Sequence, residues 1–125
     1  MKRIFLTYTK ENKNTGQVYS GRASGKEDPK KILTKRDSSH HIDKASFADA
    51  ELDQISTNKD AIRGREQMLI DSLGGAQSEG GTSANKINSI SPRNKNKDKY
   101  MEAAMKFFGA ISTGFIVMLL IRYII

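Results

Sequence analysis

The chain has 125 residues, no cysteine and a formal net charge of +7. This length holds one small core rather than two, and the lack of cysteine excludes a disulfide framework and thiolate metal sites. The charge is uneven: residues 1–36 carry ten Lys/Arg against three Asp/Glu, 37–91 five against nine, and 92–125 six against two. Such a basic face suits a polyanion, either nucleic acid or an anionic membrane surface, although an ordinary solvated surface gives the same totals.

The apolar run in the opening MKRIFLTYTK is too short for a secretory signal. From Arg3 to Thr9 apolar and polar residues alternate, which predicts a strand. Gln17 to Arg22 reads as a second strand, and the KENKNTG segment between them as a polar turn. The two form an antiparallel hairpin that makes Tyr8 and Tyr19 near neighbours, in a register the spacing leaves open. Asp28 then reads as a helix N-cap with Pro29 at the first helical position. The helix is expected to run from Lys30 to about His40, with His40 one turn beyond Arg36. Residues 45–52 admit a short helix. Asn58 caps a further helix over Lys59 to Leu73, ended by Gly74-Gly75. Residues 77–96 are rich in Gly, Ser, Asn and Lys and read as loop. A helical pattern resumes from Tyr100 to Phe108. The fold class expected is α+β: a small antiparallel sheet begun by the hairpin, flanked by helices, with a hydrophobic helix at the C-terminus.

That last helix is set apart by composition. Between Phe107 and Ile121 no residue is charged. The stretch 107–125, taken as one helix, spans roughly 28 Å, close to the ~30 Å bilayer core. Arg122 and Tyr123 suit an interface. Before the tail, Arg93, Lys95, Lys97, Lys99 and Lys106 outnumber Asp98 and Glu102, so the positive-inside rule keeps the bulk of the chain in the cytoplasm. A single-pass C-terminal anchor is therefore expected. The alternatives are a cytoplasmic protein whose tail packs on a partner or core, and a small membrane-acting protein. Three segments follow: a domain over 1–91, a basic linker and helix over 92–106, and the apolar tail over 107–125.

Within the domain, Glu66 falls inside the apolar stripe Ile62, Leu69, Ile70 and Leu73. A carboxylate there must be paired, bound to metal or left at the edge in water; Arg63, Arg65 and Arg36 are the plain candidates for its partner. His40 and His41 are adjacent, so on a helix their rings diverge and make a poor metal pair. No nucleophile elbow or Walker-type phosphate loop is present, and GGAQSEGG at 74–81 lacks the Lys-Ser/Thr that would make it one.

Leu6-Thr7-Tyr8 and Tyr19-Ser20-Gly21, joined by a short polar turn, resemble the paired elements that open the GIY-YIG nuclease domain. Arg36 and His40 match that family's helical Arg and the His four residues on. Glu66, within AIRGREQMLID, matches its metal-binding Glu. Asn88 matches its late Asn, with Asn85 the nearby alternative. The likeness covers about residues 3–91, and a looser one extends to the nuclease domains of bacterial polymorphic toxins. The first element lacks the Gly and Ile, the gaps before Arg36 and Asn88 are long, and the tail is no part of the family domain.

What the resemblance implies is a metal-dependent endonuclease that hydrolyses nucleic-acid phosphodiesters, with DNA ahead of RNA as substrate. Glu66 would hold one divalent ion, Mg²⁺ or Mn²⁺. Arg36 would neutralise the phosphate, and Tyr8 or Tyr19 would take a proton from water, which requires a phenol pKa below the usual ~10. His40 would orient a tyrosine or carry a proton, and Asn88 would complete the set. The competing reading is a non-catalytic, tail-anchored basic protein that binds nucleic acid or a protein partner.

Overall fold

The computed structural model describes residues 2–112 and 114–116. Strands β1 (Ile4–Glu11) and β2 (Val18–Gly25) form the expected hairpin. Helix α1 (Pro29–Ser38) follows, then strand β3 (Glu51–Ser56), helix α2 (Lys59–Ser72), a single 3-10 turn (Gln77–Glu79) and helix α3 (Lys97–Phe108). The architecture is α+β, with a three-stranded antiparallel sheet in the order β2-β1-β3.

Local chemistry explains most of the boundaries. The Asp28 carboxylate accepts from the Lys30 N–H at 2.8 Å and Pro29 opens α1, which uses a helix end whose N–H groups have no intrahelical partner. Asn58 does the same for α2, accepting from the Ala61 N–H at 3.0 Å. The hairpin turn is tied by the Asn12 side chain, which accepts from the N–H groups of Asn14 and Thr15.

Strand β2 runs on to Gly25 and helix α3 starts at Lys97, three residues beyond and three residues before the expected limits, and two further differences bear on the site. Helix α1 ends at Ser38, so His40 and His41 lie beyond it. The short helix expected over 45–52 is replaced by extended chain. Lys13 N–H donates to the Ser46 carbonyl, Ala48 N–H to that of Glu11, and Phe47 bridges Asn12, so the segment lies along β1 and leads into β3. The third strand was hidden because a register shift opposite Thr7 and Tyr8 interrupts its alternation, and because it buries the side chain of Asp53 while Leu52 and Ile55 are exposed.

Its partners account for the burial of Asp53. Arg65 of α2 donates to it from Nε at 2.8 Å and from Nη2 at 2.9 Å, and the Thr7 hydroxyl donates at 2.8 Å. A buried carboxylate met by a two-pronged guanidinium and a hydroxyl is paired on several sides. It pins β1, β3 and α2 together.

Successive side chains of a strand alternate between faces. Leu6 and Tyr8 cluster with Ile32 and Leu33 of α1 on one face. Thr7 and Arg22 meet α2 through Asp53–Arg65 and through Glu66 on the other. The helices therefore cover opposite faces, and β2 is an edge strand between them. Helix α3 packs on α2, with the Arg63 guanidinium 4.7 Å from the centre of the Tyr100 ring.

Helix α3 takes in Phe107 and Phe108 and stops at Gly109, whose φ of +74° favours glycine. Of the membrane span expected over 107–125, residues 113 and 117–125 lie outside the described residues. Among the described residues no helix is long and apolar enough to cross a membrane.

Candidate functional site

Tyr8 is fully buried on β1. Its ring centre lies 6.3 Å from that of Tyr19. The register explains this: Tyr8 pairs with Gly21 and Lys10 with Tyr19, so the two tyrosines share a face as diagonal neighbours. Gly21 makes room for the Tyr8 ring, because a Cβ at that position would come within 2.5 Å of the phenol oxygen.

Two donors converge on that oxygen. The His40 Nε2 lies 2.7 Å from it and the Arg36 Nε–H donates at 3.2 Å. The backbone settles the His40 tautomer. Ile42 N–H, which can only donate, meets His40 Nδ1 at 3.1 Å, so Nδ1 accepts and the neutral ring carries its proton on Nε2. Nε2–H then donates to Tyr8. Burial first, and the Arg36 charge second, push the His40 pKa down to about 4, in keeping with a neutral ring at pH 7.

The chain turns after Ser38, and that turn brings His40 back over the sheet. It also stacks His40 on His41, with ring centres 4.7 Å apart and planes 25° apart. The expectation that the two rings diverge fails because neither residue is on the helix. His40 is buried behind the tyrosines, whereas His41 is exposed and lines the cavity described below.

Both phenols are held protonated. Burial is the main cause in each, raising Tyr8 and Tyr19 above the ordinary tyrosine value. For Tyr19 the next cause is the charge of Glu66, while Arg36 opposes both. The lowered phenol pKa that the resemblance requires is thus not what the protein by itself supplies: removing these rings from water outweighs a half-buried guanidinium.

Glu66 is buried on α2 rather than left at the edge of the apolar stripe in water. Its partner is none of the three arginines expected. Arg22 of β2 meets Oε1 through Nε at 3.1 Å, and the Ser89 hydroxyl donates to the same oxygen. Arg65 is committed to Asp53, Arg36 to Tyr8, and Arg63 to the Ser89 carbonyl and the Tyr100 hydroxyl. Burial raises the Glu66 pKa against the opposing pull of Ser89 and Arg22.

The two asparagines separate cleanly. Asn85 accepts from Ser20 N–H at 2.9 Å and donates to Ser20 C=O at 2.8 Å. Its amide pairs with the open edge of β2 as a neighbouring strand would, which is a structural task. Asn88 instead takes the Gln67 Nε2–H on its Oδ1 at 2.8 Å.

These parts meet around a cavity of about 840 Å³. Tyr19 and Arg36 line it from the α1 face of the sheet, Arg22 and Glu66 from the α2 face, and Lys86, Asn88 and Ser89 from the loop after the 3-10 turn. It therefore wraps the outer edge of β2, the place where side chains of both faces can reach one ligand. Tyr8 and His40 stand behind Tyr19 in support. All six residues singled out from the sequence, Tyr8, Tyr19, Arg36, His40, Glu66 and Asn88, belong to this cavity or to its immediate backing.

Gln67 and Ser89 carry no signal in the sequence, Arg22 is legible there only as a cation near the tyrosines and not as the partner of Glu66, and His41 only as a poor metal partner for His40. Arg22 follows Tyr19 by three residues and so points to the opposite face, a signal visible in the strand. The others depend on where loops land, and local pattern carries no trace of that.

Among the described residues no group of three or more His, Asp or Glu gathers in a way that could hold a metal ion. One buried carboxylate at a cavity wall suits a hard cation that keeps most of its waters and is shared with a phosphate; Glu66 fits that description and would be its protein ligand.

No family model matches this chain, and neither a curated protein nor a solved structure matches it.

Proposed function

We propose that this cavity hydrolyses phosphodiester bonds of nucleic acid, DNA ahead of RNA, as a nuclease of the GIY-YIG type. The observation that carries the reading is the convergence on Tyr8 Oη of His40 and Arg36, with Tyr19 beside them and Glu66 across the same cavity. Packing alone calls for no such gathering of two phenols, an imidazole, a guanidinium and a buried carboxylate.

Each residue has a task that follows from its state. Arg36 and Arg22 face the phosphate with planar donor forks. Glu66 would hold a divalent cation, which when bound would supply charge neutralisation at the phosphate. His40, neutral and locked by Ile42, keeps Tyr8 in place through Nε2–H. Tyr8 accepts from two donors, so its own O–H is directed away from both. Tyr19 is the phenol at the cavity wall and stands where an attacking water would be oriented. The Glu66 charge is the second cause of its raised pKa; neutralising that charge brings Tyr19 nearer to service as a base.

A binding-module reading has two observations in its favour: the resting cavity holds no phenolate, and Glu66 is already engaged by Arg22. The two readings part on chemistry. The full chain is incubated with single- and double-stranded DNA and with RNA, in Mg²⁺, in Mn²⁺ and in EDTA, beside Glu66→Ala. Metal-dependent cleavage lost in the variant supports the nuclease. Binding without cleavage in any metal overturns it in favour of the module.

The apolar tail belongs to the same proposal as a tether that holds the basic domain at the cytoplasmic face of a membrane. Resistance of the full chain to extraction from membranes by alkaline carbonate is the expected result, and release into the supernatant would refute the tether.

A further inference from the structure

We infer that Gln67 is a positioning residue that turns the amide of Asn88 so that its NH₂ end, a donor, is presented to the cavity, where it hydrogen-bonds a phosphate oxygen. The inference deepens the phosphodiester reading of the cavity and rests on it for the nature of the ligand.

Two groups whose polarity cannot change meet Gln67. Ile90 N–H is a donor only, and it meets Gln67 Oε1 at 2.9 Å. An Asp71 carboxylate oxygen accepts, and it meets Gln67 Nε2 at 2.9 Å. These two constraints sit at opposite ends of one amide and agree, so the carbonyl and NH₂ ends of Gln67 are assigned by chemistry. Gln67 is 1% exposed, with Asp71 and Ile90 fixing both ends; reversing the amide would set donor against donor and acceptor against acceptor.

The second proton of Nε2 then goes to Asn88, 2.8 Å away, and the Asn88 atom that receives it must be the carbonyl Oδ1. The NH₂ end of Asn88 is left for the cavity that the residue lines. Other residues lining the cavity point to the same ligand. Lys86 of the same loop and Arg36 of the α1 face are donors only, whereas Arg22 is paired with Glu66. An amide donor among cations recognises an anion. An amide carbonyl in its place would recognise a cation. The polarity of Asn88, inherited from Gln67, therefore divides the cavity into a cation side at Glu66 and an anion side at Asn88.

The test reads the amide itself. The ¹⁵N-labelled full chain is titrated with inorganic pyrophosphate in EDTA, and separately with Mn²⁺, following the Asn88 Nδ2–H₂ resonances. Pyrophosphate is expected to shift them. Gln67→Glu removes the donor and abolishes that shift; Asn88→Asp replaces the donor with an acceptor. Each weakens pyrophosphate binding about tenfold, and since Gln67→Glu also sets two carboxylates together and can fail to fold, Asn88→Asp carries the test alone in that case. Asn88 resonances that pyrophosphate leaves unmoved overturn the inference. So does an Asn88→Asp chain that binds Mn²⁺ more tightly while holding pyrophosphate as before, because the carbonyl is then the working end. Cleavage of DNA or RNA is scored apart. Pyrophosphate binding through Asn88 with no cleavage sinks the nuclease and leaves this inference standing, and cleavage with a silent Asn88 does the reverse.

Discussion

Tyr8 and Gly21 are partners across the β1–β2 ladder, and the phenol of one occupies the space that a side chain on the other would fill. A Cβ at position 21 would lie 2.5 Å from both Cζ and Oη of Tyr8. Neither can yield easily: the glycine is in a strand paired along its length, and the phenol is held by His40 and Arg36. Gly21→Ala is therefore expected to destabilise the fold by about 1–3 kcal/mol, as overpacking does, and to abolish cleavage in the fraction that still folds. Urea denaturation beside a cleavage assay checks both. An alanine chain of unchanged stability and activity would show that Tyr8 has another seat.

His40 makes stability depend on pH in a definite direction. Its folded pKa is about 4 against an ordinary value of 6.5. Between those values the unfolded chain takes up a proton that the folded one refuses. The contribution is therefore complete above pH ~6.5 and is lost as pH falls toward ~4. Glu66 acts with the opposite sign, because its folded pKa is raised. Comparison with His40→Gln isolates the histidine: the native chain should lose more stability than the variant between pH 7 and pH 4.5. Denaturation midpoints at several pH values give the answer, and parallel curves would exclude the neutral buried ring.

Glu66 carries a cost in stability at neutral pH. Its charge is buried, and a raised folded pKa favours the folded state only where the carboxyl is protonated, an advantage lost as pH rises through that pKa. Glu66→Gln keeps the shape and removes the charge. The expected outcome is a melting temperature at pH 7 equal to or above that of the native chain, together with loss of metal-dependent cleavage. A variant that melts well below the native chain would mean that the Arg22 ion pair outweighs the burial of the carboxylate.

Asn85 and Asn88 should respond to alanine in opposite ways. Asn85→Ala leaves the Ser20 N–H and C=O without their amide partner at a buried position. A loss of about 1–3 kcal/mol follows for a stranded buried polar group. Asn88 is half-exposed at the cavity wall, so Asn88→Ala should change stability by roughly 1 kcal/mol or less while reducing cleavage at least tenfold. Denaturation and initial rates measured on both variants test the pair, and equal losses of stability would erase the division between a strand-edge clamp and a ligand donor.

Much of the scaffold was legible before any tertiary contact was known. The alternation through Tyr8, the polar turn at Asn12 to Gly16, the Asp28-Pro29 and Asn58 caps and the 3.6-residue stripe through Ile62 and Leu69 are local signals. Each is written within a few residues of the structure it specifies. Glu66 was conspicuous for the same reason, as a charge inside an apolar period. β3 was not legible, because the residue it buries is Asp53, and a carboxylate reads as surface until Arg65 and Thr7 are seen around it.

The sequence by itself determined the hairpin, the two capped helices and the place of Glu66 within an apolar stripe, since backbone preference and periodicity act over one or two turns of chain. Only the tertiary structure decided which arginine Glu66 meets, that His40 and His41 stack beyond the end of α1, and that Gln67 reaches Asn88 across 21 residues of sequence. Those contacts come from where a turn or loop lands against a distant helix. That landing is set by hydrogen-bond polarity and shape at the point of contact, and no periodicity along the chain encodes it.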